Sequence, residues 1–97
     1  MAKIRWTEEA ATWLEDIHKF ISQDNPTAAD QVVERIYEKV QILNKFPEIG
    51  YRYRATRQGD IRVLLYGHYR IAYLLDNHKT ILILGIFHSA LDIDRYI

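Results

Sequence analysis

The segment from Thr80 to Tyr96, TILILGIFHSALDIDRY, places the strongest constraint on how this chain folds. Its first part, Ile81 to Phe87, has apolar side chains at both odd and even positions. Because successive side chains of a strand point to opposite faces, such a strand must be covered on both faces. The apolar run ends at one histidine, His88, after which the sequence becomes polar. We therefore predict an internal strand that carries an imidazole to the edge of the sheet.

The length and composition fit one small domain and exclude several classes of protein. The chain has 97 residues, and its hydrophobic content of 48% is enough to build a core. Thirteen basic and thirteen acidic residues cancel, whereas proteins that bind RNA or DNA usually carry excess positive charge. The absence of cysteine excludes disulfides and thiolate metal sites, and four scattered histidines without ligand spacing predict neither a metal nor a cofactor. No stretch has the apolar length of a signal peptide or a membrane-spanning helix, so we expect a cytoplasmic protein without a membrane partner.

Two helices are predicted in the first half of the chain. Lys3 to Trp6 alternates like a short strand, and Thr7 is placed to cap the helix that follows. Asn25 as a cap and Pro26 at the first helical position begin a second helix, which ends near the sequence FPEIG. In both segments apolar residues recur at spacings of three and four, which gives each helix one apolar face. The expected core positions are Trp13, Ile17, Ile36, Val40 and, from a later strand, Ile71.

Three strands are predicted in the second half of the chain. Ile61 to Tyr66 and Tyr69 to Leu75 flank Gly67-His68, a pair that matches a two-residue type II′ turn. The third strand runs from Ile81 to His88. The turn fixes the expected pairs of the hairpin as Tyr66 with Tyr69, Leu64 with Ile71, and Arg62 with Tyr73.

The order of these elements predicts the fold class. The polar, arginine-rich stretch from Tyr51 to Gly59 is expected to be a loop, and Ala90 to Tyr96 a short terminal helix. The order β-α-α-β-β-β predicts one α+β domain over residues 1–97, with a helical hairpin packed on one face of a small, largely antiparallel sheet.

The second face of the predicted sheet is apolar as well. It carries Ile61, Val63, Leu65, Arg70, Ala72 and Leu74. Two helices can cover only one face, so we expect a partner chain to cover this one. A homodimer packed through the same face is the alternative.

Five short motifs are found in order along the chain: WTxxA at the first helix, NPTAA at the second, LxxFPEIG at its end, then YRIAY and ILGIFH. Together they resemble the RelE/ParE family of toxins from bacterial type II toxin–antitoxin systems. The resemblance extends over nearly the whole chain. It implies a small cytoplasmic toxin that is held inactive by an antitoxin encoded beside it, in a heterotetramer or a similar complex, with a possible homodimer when free.

The resemblance also implies what covers the second face. In this family the disordered C-terminal part of the antitoxin folds onto the toxin. We therefore expect an antitoxin segment to bury Val63, Leu65, Ala72 and Leu74. The family has two branches: RelE-like members are ribosome-dependent endoribonucleases that cut mRNA, and ParE-like members poison DNA gyrase without nuclease activity.

Two residues stand where the RelE-like branch places catalytic groups. Arg70, in YRIAY, matches a strand arginine that stabilises charge on the scissile phosphate, a task that suits a planar guanidinium. His88 matches a histidine that acts as general acid in some nucleases, although ParE-like toxins carry histidine here as well. The alternative for His88 is a histidine that hydrogen-bonds backbone groups where the strand ends.

Departures from the nuclease pattern favour the ParE-like branch. The strand IRVLL offers only Arg62 where RelE has alternating lysines, and Leu91 stands where many members have arginine. We therefore expect a gyrase poison and not an enzyme, with a RelE-like mRNA endonuclease or an inactive member that only binds antitoxin as alternatives. The expected target-binding residues are Arg62, Leu91, Asp92, Arg95 and Tyr96.

Overall fold

The structure, a computed structural model, describes residues 3–97 as two α-helices and a five-stranded sheet, with two short 3₁₀ helices. The main elements are β1 (Lys3–Trp6), α1 (Glu8–Ser22), α2 (Pro26–Gln41), β2 (Tyr51–Ala55), β3 (Gly59–Tyr66), β4 (Tyr69–Asp76) and β5 (Thr80–His88). The 3₁₀ helices are Ile42–Asn44 and Ile93–Arg95. Within this part of the chain, no helix is long and apolar enough to cross a bilayer.

Both helices begin where the sequence predicts. The Thr7 hydroxyl accepts a hydrogen bond from Ala10 N, and the Asn25 side chain accepts one from Ala28 N, so each cap satisfies a free N–H of the first turn. Thr7 also donates to Ile83 O over 2.7 Å, and its own N–H donates to the same oxygen over 3.1 Å. The start of α1 is therefore fixed to β5.

The strand β5 is internal, as predicted. The sheet order is β1-β5-β4-β3-β2, in which β1 runs parallel to β5 and the other pairs are antiparallel. The β3–β4 hairpin has the predicted register, with Tyr66 opposite Tyr69, Leu64 opposite Ile71 and Arg62 opposite Tyr73. Gly67 has a φ of 55°, as the first residue of a type II′ turn requires.

The predicted loop over Tyr51 to Gly59 is wrong, because Tyr51–Ala55 forms the edge strand β2 and β3 already begins at Gly59. The alternating sequence YRYRA has arginines at exposed positions, which are typical of loops but also protect sheet edges from pairing with other chains. A bulge between Arg52 and Arg54 adds to this protection. The expected terminal helix is reduced to one turn of 3₁₀ helix, Ile93–Arg95.

The main core lies between the helices and one face of the sheet. Ile36, Val40 and Ile71 are fully buried there, as predicted, and the half-buried Trp13 and Ile17 pack against them. The other buried members of this core are Ala10, Leu43, Leu64, Tyr73, Leu75, Ile81, Ile83 and Ile86. The architecture is the predicted α+β arrangement, with β2 as an additional strand.

The expectation that the second face lacks a cover of its own is wrong. Residues 91–97, called the C-terminal cover below, lie across it, and Ile93 packs with Val63, Ala72 and Phe87 in a second buried cluster. Leu74 is buried as well, whereas Leu65 keeps 59% of its surface exposed. Sequence patterns missed the cover because Leu91, Ile93 and Ile97 are separated by charged residues.

The fully buried position of Ile36 on α2 provides a test of the main core. Ile36→Ala removes three carbon atoms from a site with no solvent exposure, so we expect the free energy of unfolding to fall by about 2–5 kcal/mol. Urea denaturation measures the change. Glu34→Ala, at an exposed position of the same helix, is the control and should change stability by less than about 0.5 kcal/mol. A similar small loss for Ile36→Ala would contradict the burial.

Candidate functional site

His88 ends β5 at the same end of the sheet as the β3–β4 turn. Its Nδ1 accepts a hydrogen bond from Ala90 N over 3.1 Å, and the following Ser89 N–H donates to His68 O over 2.7 Å. The imidazole thus satisfies the backbone where the chain leaves the strand, as one of the two hypotheses for this residue predicts. With Nδ1 occupied as an acceptor, the neutral ring carries its proton on Nε2.

Arg70 is hydrogen-bonded to the C-terminal cover. Its Nη2 donates to Leu91 O, and its Nε is buried without a hydrogen-bond partner among the described residues. The guanidinium therefore holds a backbone carbonyl and does not pair with a carboxylate. Contact with a phosphate would require this bond to Leu91 to break first.

The structure places the two candidate catalytic residues on opposite faces of the sheet. His88 is paired with Tyr69, whose side chain belongs to the helix-covered face. Arg70 is paired with Phe87, whose side chain belongs to the second face. Paired residues of antiparallel strands share a face, and neighbours along a strand do not. The two side chains therefore leave the sheet on opposite sides, which does not match a site where both groups act on one phosphate.

His88 borders an apolar groove between α1 and the end of β5. Trp13, Ile17, Phe20 and Leu91 line the groove, whose volume is about 510 Å³. Asp16 supplies a carboxylate at its wall, and no lysine or arginine among residues 3–97 lines it. Surfaces that bind RNA present basic groups to the phosphates, so this groove is poorly suited to a nucleic acid.

Four of the five predicted target-binding residues lie together in the C-terminal cover. Tyr96 stacks on Phe87, with ring centroids 5.4 Å apart, and meets Trp13 edge to face at 5.1 Å. Arg54 on β2 donates to the carbonyl of Ile97, so an arginine holds each end of the cover. Asp92, Arg95 and Tyr96 are exposed in part or fully, and Leu91 is half-buried.

The structure separates Arg62 from the other predicted target-binding residues. Its Nη1 donates to Glu48 O over 3.0 Å and to Gly50 O over 2.6 Å, and its side chain is only 14% exposed. Register with Tyr73 places Arg62 on the helix-covered face, away from the cover. Its charge is thus used to hold the loop that connects the helices to β2.

Tyr73 holds the same loop, a role that the sequence analysis missed. Its hydroxyl donates to Pro47 O over 2.8 Å and accepts from Gly50 N over 3.0 Å, while its ring is fully buried. The segment Phe46–Gly50, called the FPEIG loop below, therefore has four hydrogen bonds from side chains of the sheet. The sequence did contain one sign of this role, a tyrosine on an apolar face of a strand. A buried phenol hydroxyl needs a hydrogen-bond partner, so such a tyrosine indicates a bonded segment nearby.

Fold and site together define a small α+β protein whose sheet is covered by a helical hairpin on one face and by the C-terminal cover on the other. A family model described as "ParE toxin of type II toxin-antitoxin system, parDE" matches residues 4–93. This match covers nearly the whole chain, and the chain belongs to the ParE toxin family of type II toxin–antitoxin systems.

Individual relatives agree with this assignment. A protein of Sinorhizobium fredii (strain NBRC 101917 / NGR234), described as "Putative toxin Y4kP", is 40% identical over 58 residues, which are 58% of this chain and 60% of that protein. A solved chain of the chromosomal ParDE system from P. aeruginosa has a TM-score of 0.72 at 24% identity, covering 91% of this chain and 96% of that one. A chain of the RelBE2 toxin–antitoxin complex from Mycobacterium tuberculosis has a TM-score of 0.60 at 26% identity, covering 90% and 96%.

The buried phenol of Tyr73 makes stability depend on pH at the alkaline end. Burial raises the pKa of Tyr73, and the smaller effects of the Gly50 hydrogen bond and the Arg62 charge lower it. A raised folded pKa contributes stability that is complete below the unfolded pKa of about 10 and is lost as pH rises through the folded value. Burial raises the pKa of Tyr69 too, with the same sign. We therefore expect the free energy of unfolding to fall above about pH 10.

Urea denaturation at a series of pH values from neutral to strongly alkaline measures this dependence. Tyr73→Phe leaves Pro47 O and Gly50 N without their partner and should cost about 1–3 kcal/mol at neutral pH. The same variant should lose stability less steeply above about pH 10, because one of the titrating phenols is gone. Equal alkaline slopes for the two proteins would contradict a role for Tyr73 ionisation.

Proposed function

We propose that this chain is a ParE-like toxin that binds DNA gyrase, stabilises its cleaved-DNA state and is neutralised by a cognate antitoxin in the cytoplasm. It would inhibit growth and help to stabilise the genetic element that encodes it, without catalysing a reaction. The observation that carries the proposal is the placement of Arg70 and His88 on opposite faces of the sheet. A nuclease needs its general acid and its charge-stabilising group on one phosphate.

Charge supports the same conclusion. Within the part of the chain that the structure describes, the groove beside His88 has a carboxylate and no lysine or arginine, and the full sequence has no excess positive charge. Binding to ribosomal RNA depends strongly on contacts between basic side chains and phosphates. A protein target places no such demand on the toxin.

Two alternatives keep specific support. The likeness to a chain of the RelBE2 complex at 26% identity supports a ribosome-dependent mRNA endonuclease, in which Arg70 and His88 would be the catalytic residues. The bond from Arg70 to Leu91 O supports an inactive member that binds only antitoxin, because it keeps the guanidinium occupied.

Brief expression of the chain in bacteria distinguishes the three functions. We expect growth arrest with gyrase-linked DNA breaks and intact mRNA. Cleaved mRNA on ribosomes without gyrase-linked breaks would establish the nuclease, and growth without either lesion would establish the inactive member.

His88→Ala gives the residue-level test of this proposal. For a gyrase poison, the variant loses the hydrogen bond to Ala90 N, so stability should fall by about 1 kcal/mol and toxicity only in proportion to folding. For a nuclease, the loss of a general acid should lower mRNA cleavage by roughly 10²–10⁴-fold at an unchanged melting temperature. His78→Ala, in the exposed β4–β5 turn, is the matched control and should behave like the wild type.

We further propose that the antitoxin segment reaches the second face at Leu65, next to Val63 and Ala72 beneath the C-terminal cover and to the buried Leu74. The solved relatives named above are a ParDE system and a RelBE2 complex, which supports a cognate antitoxin for this chain. Leu65 is the exposed member of the four residues, so it is open to a partner while the cover stays in place. A partner that contacts Val63 or Ala72 must displace the cover.

Leu65→Asp tests this antitoxin contact. The exposed position should tolerate aspartate without loss of fold, while a buried charge at the centre of the interface should weaken the complex by a few kcal/mol. Titration calorimetry with the cognate antitoxin measures the change. Phe20→Asp on α1, where the phenylalanine is 74% exposed, is the control. Equal affinities of the two variants would place the antitoxin elsewhere.

A further inference from the structure

The FPEIG loop presents apolar side chains to solvent. Phe46 is 58% exposed and Ile49 50%, and Tyr51, at the start of β2, is 48% exposed. Single exposed apolar residues are ordinary on protein surfaces, but a contiguous group is typical of interaction sites. These three large side chains lie within six residues of the chain. Two of them belong to the loop that Tyr73 and Arg62 hold, and the third follows it directly.

The loop backbone is held in one conformation. Tyr73 bonds Pro47 O and Gly50 N, and Arg62 bonds Glu48 O and Gly50 O, all over distances of 2.6–3.0 Å. A Cβ added at Gly50 would lie 2.8 Å from the Tyr73 ring, so the backbone lies directly against the sheet. Surface loops usually bond water and stay mobile. Here a fully buried tyrosine and a nearly buried arginine fix a loop whose apolar side chains are exposed. Preorganisation of this kind lowers the entropic cost of binding.

Charge and shape restrict what could bind the loop. Lys45 and Lys79 border the same hollow as Phe46 and Ile49, against the one carboxylate of Glu48, so an acidic partner surface is favoured. In a symmetric contact between two copies of this chain, Lys45 and Lys79 would face the same lysines of the other copy, which argues against a second copy. A disordered antitoxin segment brings side chains to grooves, whereas exposed side chains on a fixed loop need a preformed pocket.

We infer that Phe46 and Ile49 are a contact point for a folded partner protein whose surface offers an apolar pocket with carboxylates at its rim. The inference rests on the proposed function, because the folded partner is the target of the toxin and not its antitoxin. Arg62 and Tyr73 are positioning residues for this contact. Arg62 thereby contributes to target binding through the loop, at a distance from the C-terminal cover.

Phe46→Ser and Ile49→Ser test the contact directly. Both residues are half exposed or more, so the variants should fold and bind antitoxin like the wild type. The amount of toxin needed for half-maximal growth arrest should rise by about tenfold or more, as for hot-spot residues. Tyr37→Ser, at an exposed aromatic residue of α2, should leave it unchanged. Lys45→Glu should weaken growth arrest, and Lys3→Glu, on β1, should not.

Tyr73→Phe tests the positioning role. It keeps the ring but removes both hydrogen bonds to the loop, and amide exchange at Gly50 should become faster. Ile36→Val is the control for lower stability. Each variant is assayed at a temperature that lies the same number of degrees below its own melting temperature. Growth arrest should weaken about as much in Tyr73→Phe as in Phe46→Ser, and not in Ile36→Val.

The outcomes separate this inference from the proposed function. Equal toxicity of Phe46→Ser and Tyr37→Ser would overturn the inference, and so would lost antitoxin binding with toxicity retained. Growth arrest that depends on Phe46 but leaves gyrase unaffected would support the contact and overturn gyrase as the target. A wild-type chain that arrests no growth has no target, which would overturn both.

Discussion

The two-sided burial of β5 is the constraint on which the rest of the structure depends. Ile81, Ile83 and Ile86 pack under the helices, while Phe87 packs into the second cluster with Ile93. A strand with no polar face cannot lie at the surface of the sheet, so both layers must form around it. The start of α1 is bonded to this strand at Ile83, and the C-terminal cover closes over its other side. The helices and the C-terminal cover therefore bury the two faces of the same strand.

A partner that binds the second face must compete with the C-terminal cover, which is part of the folded chain. It hides Val63 and Ala72, and two arginines, Arg54 and Arg70, hold its carbonyls. A partner that takes this face must replace both the apolar contacts and the two hydrogen bonds. Leu65 lies outside this competition because it is already exposed. The contacts of the cover must be replaced on binding, which favours partners with a large apolar surface of their own.

The sequence was most informative where local chemistry decides the structure. Thr7, Asn25 and Pro26 begin the helices, and Gly67-His68 sets the hairpin register, because caps and tight turns depend on a few adjacent residues. It failed at β2, where YRYRA is a strand only because β3 is there to pair with it. It also missed the loop-holding roles of Tyr73 and Arg62, since hydrogen bonds across 12 to 26 residues leave no periodic pattern. Family resemblance supplied candidate site residues but not the faces on which they lie.

The face of His88 depends on a single extra residue in β5. Tyr73 is opposite Ile83, yet Ala72 is opposite Gly85, so Leu84 is a bulge between the two pairs. With an unbroken register, Arg70 would lie opposite Ile86 and His88 would share its face, because shifting a strand by one residue moves every later side chain to the other side. Gly85 makes room for the arrangement, since a Cβ there would lie 2.4 Å from the Phe87 ring. A glycine inside an apolar strand was the one visible sign of the bulge. One extra residue in β5 therefore decides whether an arginine and a histidine share a face, and in this chain the bulge at Leu84 places Arg70 and His88 on opposite faces.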